Sequence, residues 1–205
     1  MIKNILFDFD GVILNSMPIR DYGFKKIFEK FDDNLVGKLL DYHNKNGGLS
    51  RYVKIKYFYN ELLGKEISEK KIQDYAEIFS GIMKKKLTDK SYLIPDTLVF
   101  IEDNSKRYNL HIVSGSDGEE LRFLCKELGI SDYFKSIHGS PIHKNKLVKD
   151  VLLDNNYVAK ETVLIGDSFN DYEAAKKNNL DFYGFNNSNS ISLSEQYLEN
   201  YKELL

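Results

Sequence analysis

Asn4-Ile5-Leu6-Phe7-Asp8-Phe9-Asp10-Gly11 is the stretch that decides the fold. A short apolar run ends in two carboxylates spaced two apart, and a glycine follows. A run of this length reads as a buried strand. Residues two apart on an extended chain point the same way, so Asp8 and Asp10 can face one site. Gly11 lets the backbone turn sharply there. Open parallel sheets bind ligands beyond the carboxyl ends of their strands, which is where this pair falls.

Further along the chain, Leu110 to Val113, Lys135 to Ile137, Val163 to Ile165 and Phe182 to Phe185 read as four more strands. Helical patterns separate them: Gly118 to Leu128 with Gly129 as a stop signal, Lys146 to Leu153, and Tyr172 to Lys177. Alternation of this kind predicts an α/β fold with a doubly wound parallel sheet. From about Met17 to Leu87 there is no convincing strand. Helical spacing appears at Tyr22 to Phe31, at Tyr52 to Leu63, and after Ser68, a candidate N-cap. The expected organisation is a core of residues 1–16 and 88–205 with an inserted all-helical unit of residues 17–87. Ser194 to Leu205 is expected to close the chain as a helix, and the polar cluster Asn186 to Ser190 to form a loop.

The chain has 205 residues, 42% hydrophobic and 29% charged, with a formal net charge of -2. That size suits one domain or a core with a smaller insertion. The charge balance argues against nucleic acid or an anionic membrane as the main partner. No protein partner is implied. The single cysteine, Cys125, allows no intramolecular disulfide and sits in a helical pattern as a packed residue. No leader and no apolar run long enough to span a membrane is read, so a cytoplasmic protein is expected.

The chemistry is expected at the strand ends. Asp8 and Asp10 follow the first strand, Ser114-Gly115-Ser116 the second, and Gly139-Ser140-Pro141, with His143 and Lys144 beyond, the third. Gly166-Asp167-Ser168-Phe169-Asn170-Asp171 follows the fourth. Two carboxylates ~5 Å apart repel by roughly 3 kcal/mol at an effective dielectric of about 20, so such a cluster calls for a cation. Oxygen-only ligands favour a hard ion, and Mg²⁺ takes one or two carboxylates plus substrate phosphate. There is no Cys/His cluster for zinc. One carboxylate would attack phosphorus while a second handles protons. Lysine, hydroxyl and backbone amides would neutralise the phosphoryl group.

The order of these segments closely resembles the haloacid dehalogenase-like superfamily, in the branch that inserts a helical cap after strand one. That branch includes phosphoglycolate phosphatases and β-phosphoglucomutases. Asp8 to Ser16 looks like its first motif, His111 to Ser116 its second, Gly166 to Asp171 its fourth, and Tyr92 to Asp96 its re-entry segment. The resemblance implies Asp8 as nucleophile and Asp10 as general acid/base. It implies Ser114 and Gly115 around the phosphoryl group, and Asp8, Asp10, Asp167 and Asp171 around Mg²⁺, with Asp171 supporting the metal or the lysine. Asp10 would also offer its backbone carbonyl to the metal. The dehalogenases lack the second aspartate of the first motif, so its presence favours phosphoryl transfer. The third motif departs from the common Lys-Pro order. Lys144 fits it best, because Leu147 and Val148 then begin the inner helix face, and Lys146 is the fallback.

In the insertion, Gly47-Gly48-Leu49-Ser50-Arg51 reads either as a loop reaching onto the core site, with Arg51 on a second anionic group, or as a turn into a helix capped by Ser50. Arg20 and His143 are weaker substrate contacts. The Phe and Tyr stripe of the insertion reads as helix packing, and Lys84 to Lys86 as a solvated helix end. The expected activity is Mg²⁺-dependent hydrolysis of a small phosphate monoester, with a small phosphorylated metabolite as partner. The alternatives are a β-phosphoglucomutase-like mutase and a phosphonate-cleaving enzyme that recruits Lys54 or Lys56. A non-enzymatic receiver of phosphate on Asp is disfavoured, because its acidic pair and phosphorylated Asp occur in a different strand order.

Overall fold

The structure is a computed structural model that describes residues 1–187 and 196–204. Its centre is a six-stranded parallel sheet in the order β3-β2-β1-β4-β5-β6. The strands are β1 (Asn4–Phe7), β2 (Asn109–Asp117), β3 (Ser136–Ser140), β4 (Thr162–Gly166), β5 (Asp181–Phe185) and β6 (Tyr197–Leu198). The first strand pairs with β2 on one side and β4 on the other. The order therefore reverses around β1, and its carboxyl end opens at the switch point where such sheets bind ligands.

Alternation along β1 divides the interior. Ile5 and Phe7 pack with residues of α5 (Pro95–Asn104) and α6 (Gly118–Glu127), among them Phe100, Ile101, Leu121 and Leu124. Leu6 packs with Leu147, Val148, Ala174 and Ala175 of α7 (Lys144–Asp154) and α8 (Phe169–Lys177). Helices cover both faces, so after Asn4 the residues of β1 are a continuous apolar run rather than alternating.

Between β1 and α5 the chain makes α1 (Met17–Ile27), α2 (Asp33–Lys45), α3 (Arg51–Tyr57) and α4 (Glu69–Lys86). A π-helical turn over Phe58–Leu62 extends α3, so Tyr52 to Leu63 is helical as read. Aromatic packing holds the four together: Phe28 stacks on Phe58 at 4.1 Å and Phe24 lies 4.7 Å from Phe79. Truncating such a buried ring costs roughly 3–5 kcal/mol. Ser50 and Ser68 are both N-caps, accepting from the backbone N–H groups of Val53 and Lys71. The segments joining this bundle to the sheet run side by side, with Asn15 N–H donating to Tyr92 O at 2.8 Å and Ile94 N–H to Ile13 O at 2.9 Å.

Several sequence expectations are corrected. The first helix lies earlier than Tyr22 to Phe31, because Pro18 starts it near Met17 and it stops at Ile27. Helix α2 was not expected at all. It buries only Val36, Leu39 and His43 along a polar stretch, and its start is capped by Asp32, which accepts from Asn34 N–H. The second strand runs through Ser114-Gly115-Ser116, so these residues lie on its last turn of pleat and not in a following loop. The closing helix is absent among the described residues of the tail: Tyr197–Leu198 add a strand beside β5 and Tyr201–Leu204 make a 3₁₀ turn. Ser188 to Ser190 of the polar cluster, and Ser194, Glu195 and Leu205 of that tail, lie outside the described residues.

Candidate active site

Four side chains converge at the carboxyl ends of β1 and β4. Lys144 Nζ lies 2.9 Å from Asp8 Oδ1 and also donates to Asp171 Oδ1. The capping box of α8 sets Asp171: its Oδ2 accepts from the Ser168 N–H at 3.0 Å and from Ser168 Oγ at 2.6 Å. The turn into a helix and the functional carboxylate are thus one feature. Lys144 is presented by the first turn of α7, which His143 caps by accepting the Asn145 N–H at its Nδ1. Lys146 is exposed and pairs with Asp150 on its own helix.

Asp167 completes the group. Ligand oxygens of Asp8, Asp167 and Asp171 lie within 4.8 Å of one another. Gly11, at φ +79°, brings the first turn against Asp167. A Cβ there would fall 2.1 Å from Asp167 Oδ2. Burial, then the charge of Asp171, pushes the Asp8 carboxyl up to about 7 against the pull of Lys144. Burial, then Asp8 and Asp171, raises Asp167 well above the usual carboxylate range. Burial works against the charge on Lys144, but Asp171 and Asp8 outweigh it and hold the ammonium firmly protonated. Three carboxylates thus face one ammonium, and the surplus is expressed as proton affinity. An all-oxygen set short of positive charge fits a hard divalent ion such as Mg²⁺. Asp8, Asp167 and Asp171 would hold it.

Asp10 lines a cleft with Asp8 and Asp167, but its side-chain oxygens are taken up by other partners. Its Oδ1 accepts from Ser16 Oγ and from Arg20 Nε at 2.5 Å, and its Oδ2 from Ser116 Oγ at 2.5 Å. Burial alone would raise this carboxyl. Arg20, with the Ser116 and Ser16 hydroxyls, outweighs it and holds Asp10 below its ordinary value. Ser114 is buried beside it, its Oγ accepting from the Ser116 N–H at 3.1 Å.

The helical insertion presses onto this side. Gly48 O meets Gly115 so closely that a Cβ on Gly115 would fall 2.1 Å from it. Gly47-Gly48 therefore does reach the core and Ser50 caps α3, but Arg51 is buried and is not the surface residue that a plain turn would leave. Arg51 is buried and its Nη1 donates to Glu120 Oε2 at 2.6 Å. Lys54 is buried with its Nζ 2.7 Å from His43 Nδ1. Burial, then Arg20, pushes its ammonium down to about 7. Lys56 and His143 are exposed. A cavity of about 20 Å³ is lined by Asp10, Gly115 and Ser116 of the core and by Arg20, Arg51 and Lys54 of the insertion. The open cleft of about 530 Å³ exposes Asp8, Asp10 and Asp167 and is lined also by Met17, Lys45 and Phe169; Asp10 and Gly47 border both spaces.

Ser16, Ser116 and Glu120 were not singled out from the sequence. The first two stand inside quoted motifs, where the spacing to Asp10 was the available signal. Glu120 carried none.

A carboxylate pair on the first strand, a lysine and further carboxylates after later strands, and a helical insertion behind the first turn together define a class of hydrolases. The haloacid dehalogenase-like hydrolase family model matches residues 5–185, and the chain belongs to that family. The phosphoglycolate phosphatase of Colwellia psychrerythraea is 24% identical over 204 residues, covering 92% of this chain and 88% of that one. Among solved structures, β-phosphoglucomutase from Clostridium difficile superposes with a TM-score of 0.78 at 18% identity, over 100% of this chain and 94% of that one. CbbY from Rhodobacter sphaeroides, in complex with xylulose-(1,5)bisphosphate, gives 0.80 at 17% identity, over 100% and 96%. The chain is a phosphatase-type enzyme of this family. No described helix is long and apolar enough to cross a membrane.

Proposed function

We propose that the protein is a Mg²⁺-dependent phosphatase that hydrolyses a small phosphate monoester through a phosphoryl group carried on Asp8. The observation that carries this reading is the buried Asp8, set against Lys144 at 2.9 Å and grouped with Asp167 and Asp171. Bound Mg²⁺ would supply charge to the transferring phosphoryl oxygens. Asp8 attacks phosphorus, and the bond from phosphorus to the ester oxygen breaks. Asp10, which takes up a proton from solvent once the leaving group displaces Arg20 from it, passes that proton to the departing ester oxygen. Water then attacks the phosphorus, Asp10 receives its proton, and the bond to Asp8 breaks to release phosphate. Lys144, the Ser114 hydroxyl and the Gly115 backbone neutralise the phosphoryl group.

The side facing Asp10 carries Arg20, Arg51 and Lys54, which supports a leaving group with a second anion. Phosphoglycolate, in the name of one relative, and xylulose-(1,5)bisphosphate, in complex with a structural neighbour, both have one. We take residues 17–87 as a cap on a core of residues 1–16 and 88–205, hinged where 13–15 and 92–94 pair.

The test is phosphate release from a panel of small esters with Mg²⁺ and with EDTA. Release that requires Mg²⁺ supports the hydrolase. Turnover only with a bisphosphate activator, releasing little phosphate, would replace it with a mutase. Borohydride trapping of Lys54 on a carbonyl substrate would replace it with phosphonate cleavage.

A further inference from the structure

Glu120 is wholly buried at the third position of α6, a place of no use to the core sheet. Asp117 caps that helix and accepts the Glu120 N–H at 3.0 Å. Each carboxylate oxygen of Glu120 takes a different arginine of the helical insertion: Oε1 accepts from Arg20 Nη1 at 3.1 Å, Oε2 from Arg51 Nη1 at 2.6 Å. Arg20 is further tied to Asp10 through Nε, and Arg51 to Ser80 through Nη1 at 2.5 Å. The Nη2 nitrogen of each guanidinium is left over. Arg20 Nη2 and Arg51 Nη2 have no hydrogen-bond partner, although the residues are only 5% and 4% exposed. Both arginines line the small cavity over Asp10.

Buried donors without partners are costly, and two on neighbouring guanidinia call for an acceptor. Arg20 and Arg51 are paired with Asp10 and Glu120, and the buried amine of Lys54 lines the same cavity. A leaving group that takes Arg20 away from Asp10 removes one of those anions from the pair. An oxyanion on the leaving group would restore it and satisfy both free donors. A cavity of about 20 Å³ holds little more than one water, so the ligand enters as α1 and α3 withdraw from α6 and is gripped on their return.

We propose that Glu120 is a positioning residue that sets specificity: by fixing one Nη of Arg20 and one of Arg51, it aims their remaining donors as a seat for a single oxyanion on the leaving group. This rests on the phosphatase reading for which group is the leaving group, but not for the existence of the seat. Glutamine at this position accepts from one arginine and turns an N–H₂ against the other, so the two cations lose their common partner and the seat opens.

The experiment uses a matched pair of uncleaved phosphonates, 3-phosphonopropionate and propylphosphonate, which differ by a carboxylate against a methyl group. Their binding is measured by calorimetry with Mg²⁺ present. Wild type is expected to prefer the carboxylate by at least about tenfold. Glu120→Gln is expected to reduce that preference to less than about threefold, with propylphosphonate affinity held within about twofold. Glu120→Asp, which keeps the charge, is expected to recover part of it and stands in should Glu120→Gln fail to fold. The proposal is overturned if wild type shows no preference. It is equally overturned if both ligands weaken together in the variants, a merely structural effect, or if the preference survives Glu120→Gln. Failure of wild type to release phosphate from any ester would instead overturn the phosphatase reading and leave this binding result standing.

Discussion

The two sides of the active site are built by different physics. The Asp8 side is supplied by strand ends: β1 gives Asp8, β4 runs into Asp167, and the first turns of α7 and α8 give Lys144 and Asp171. Pairing of β1 with its neighbours fixes these positions, so topology alone brings them together. The Asp10 side is supplied by helices packed across the sheet edge, where Arg20 and Arg51 meet Glu120 and Lys54 lines the same cavity. The first side is an anionic cluster short of a cation. The second is a cationic cluster matched to anions and holding two spare donors. The difference separates the machinery that handles the phosphoryl group from the surface that chooses what is attached to it.

Substitutions on the two sides should therefore fail differently. Lys144→Met leaves Asp8 and Asp171 buried without their cation. It should lower kcat by roughly 10²–10³-fold and cost about 3–5 kcal/mol in stability, measured by steady-state kinetics and urea unfolding. An equal loss in Lys146→Met would break the distinction. That residue is 65% exposed at its side chain, and its pair with Asp150 is a surface one, so activity should stay within about twofold.

Gly115→Ala places a methyl group where Gly48 O now lies and should hold the insertion off the core. A rise in KM of about tenfold, with a smaller change in kcat, is expected. A variant with unchanged KM would mean that this contact does not report closure.

The anionic side makes a pH prediction. The folded-state pKa of Asp8 is raised from its ordinary value to about 7, so the folded protein binds more protons than the unfolded chain between about pH 4 and 7. This group's stabilising contribution is complete below the unfolded pKa and is lost as pH rises through about 7. Mg²⁺ competes with that proton, so the Tm increment it gives should be larger near pH 8 than near pH 6, by a few degrees. Scanning calorimetry at the two pH values checks this. The opposite order would place the ion away from Asp8.

The same division explains what could be read in advance. β1, β2 and β4 were legible because each apolar run ends in a small or acidic residue, Asp8, Ser114 or Gly166. Asp171 was legible as the last residue of the motif Gly166 to Asp171, and the structure makes it the N3 acid of a capping box as well. Lys144 could be told from Lys146 by the helix face that starts at Leu147. The helix α2 was not legible, because Val36 and Leu39 are too few apolar residues to set a period among Asp, Asn and Lys. The direction of Asp10 was not legible either: two residues along an extended strand should share a face, but the chain has already left the sheet there and turns toward Leu14. Glu120 looked like any acidic residue in the first turn of a helix. Only the packing of α1 and α3 against that turn makes it a partner.

The central claim is that Asp8 carries the phosphoryl group. We would quench turnover of the preferred ester in acid, with Mg²⁺ present, and locate phosphate by mass spectrometry in wild type beside Asp8→Asn. The account predicts a phosphoryl group on the peptide containing Asp8, and none in Asp8→Asn, where phosphate release falls by at least about 10³-fold. Undiminished turnover in Asp8→Asn, or a phosphoryl group on another residue, would contradict it.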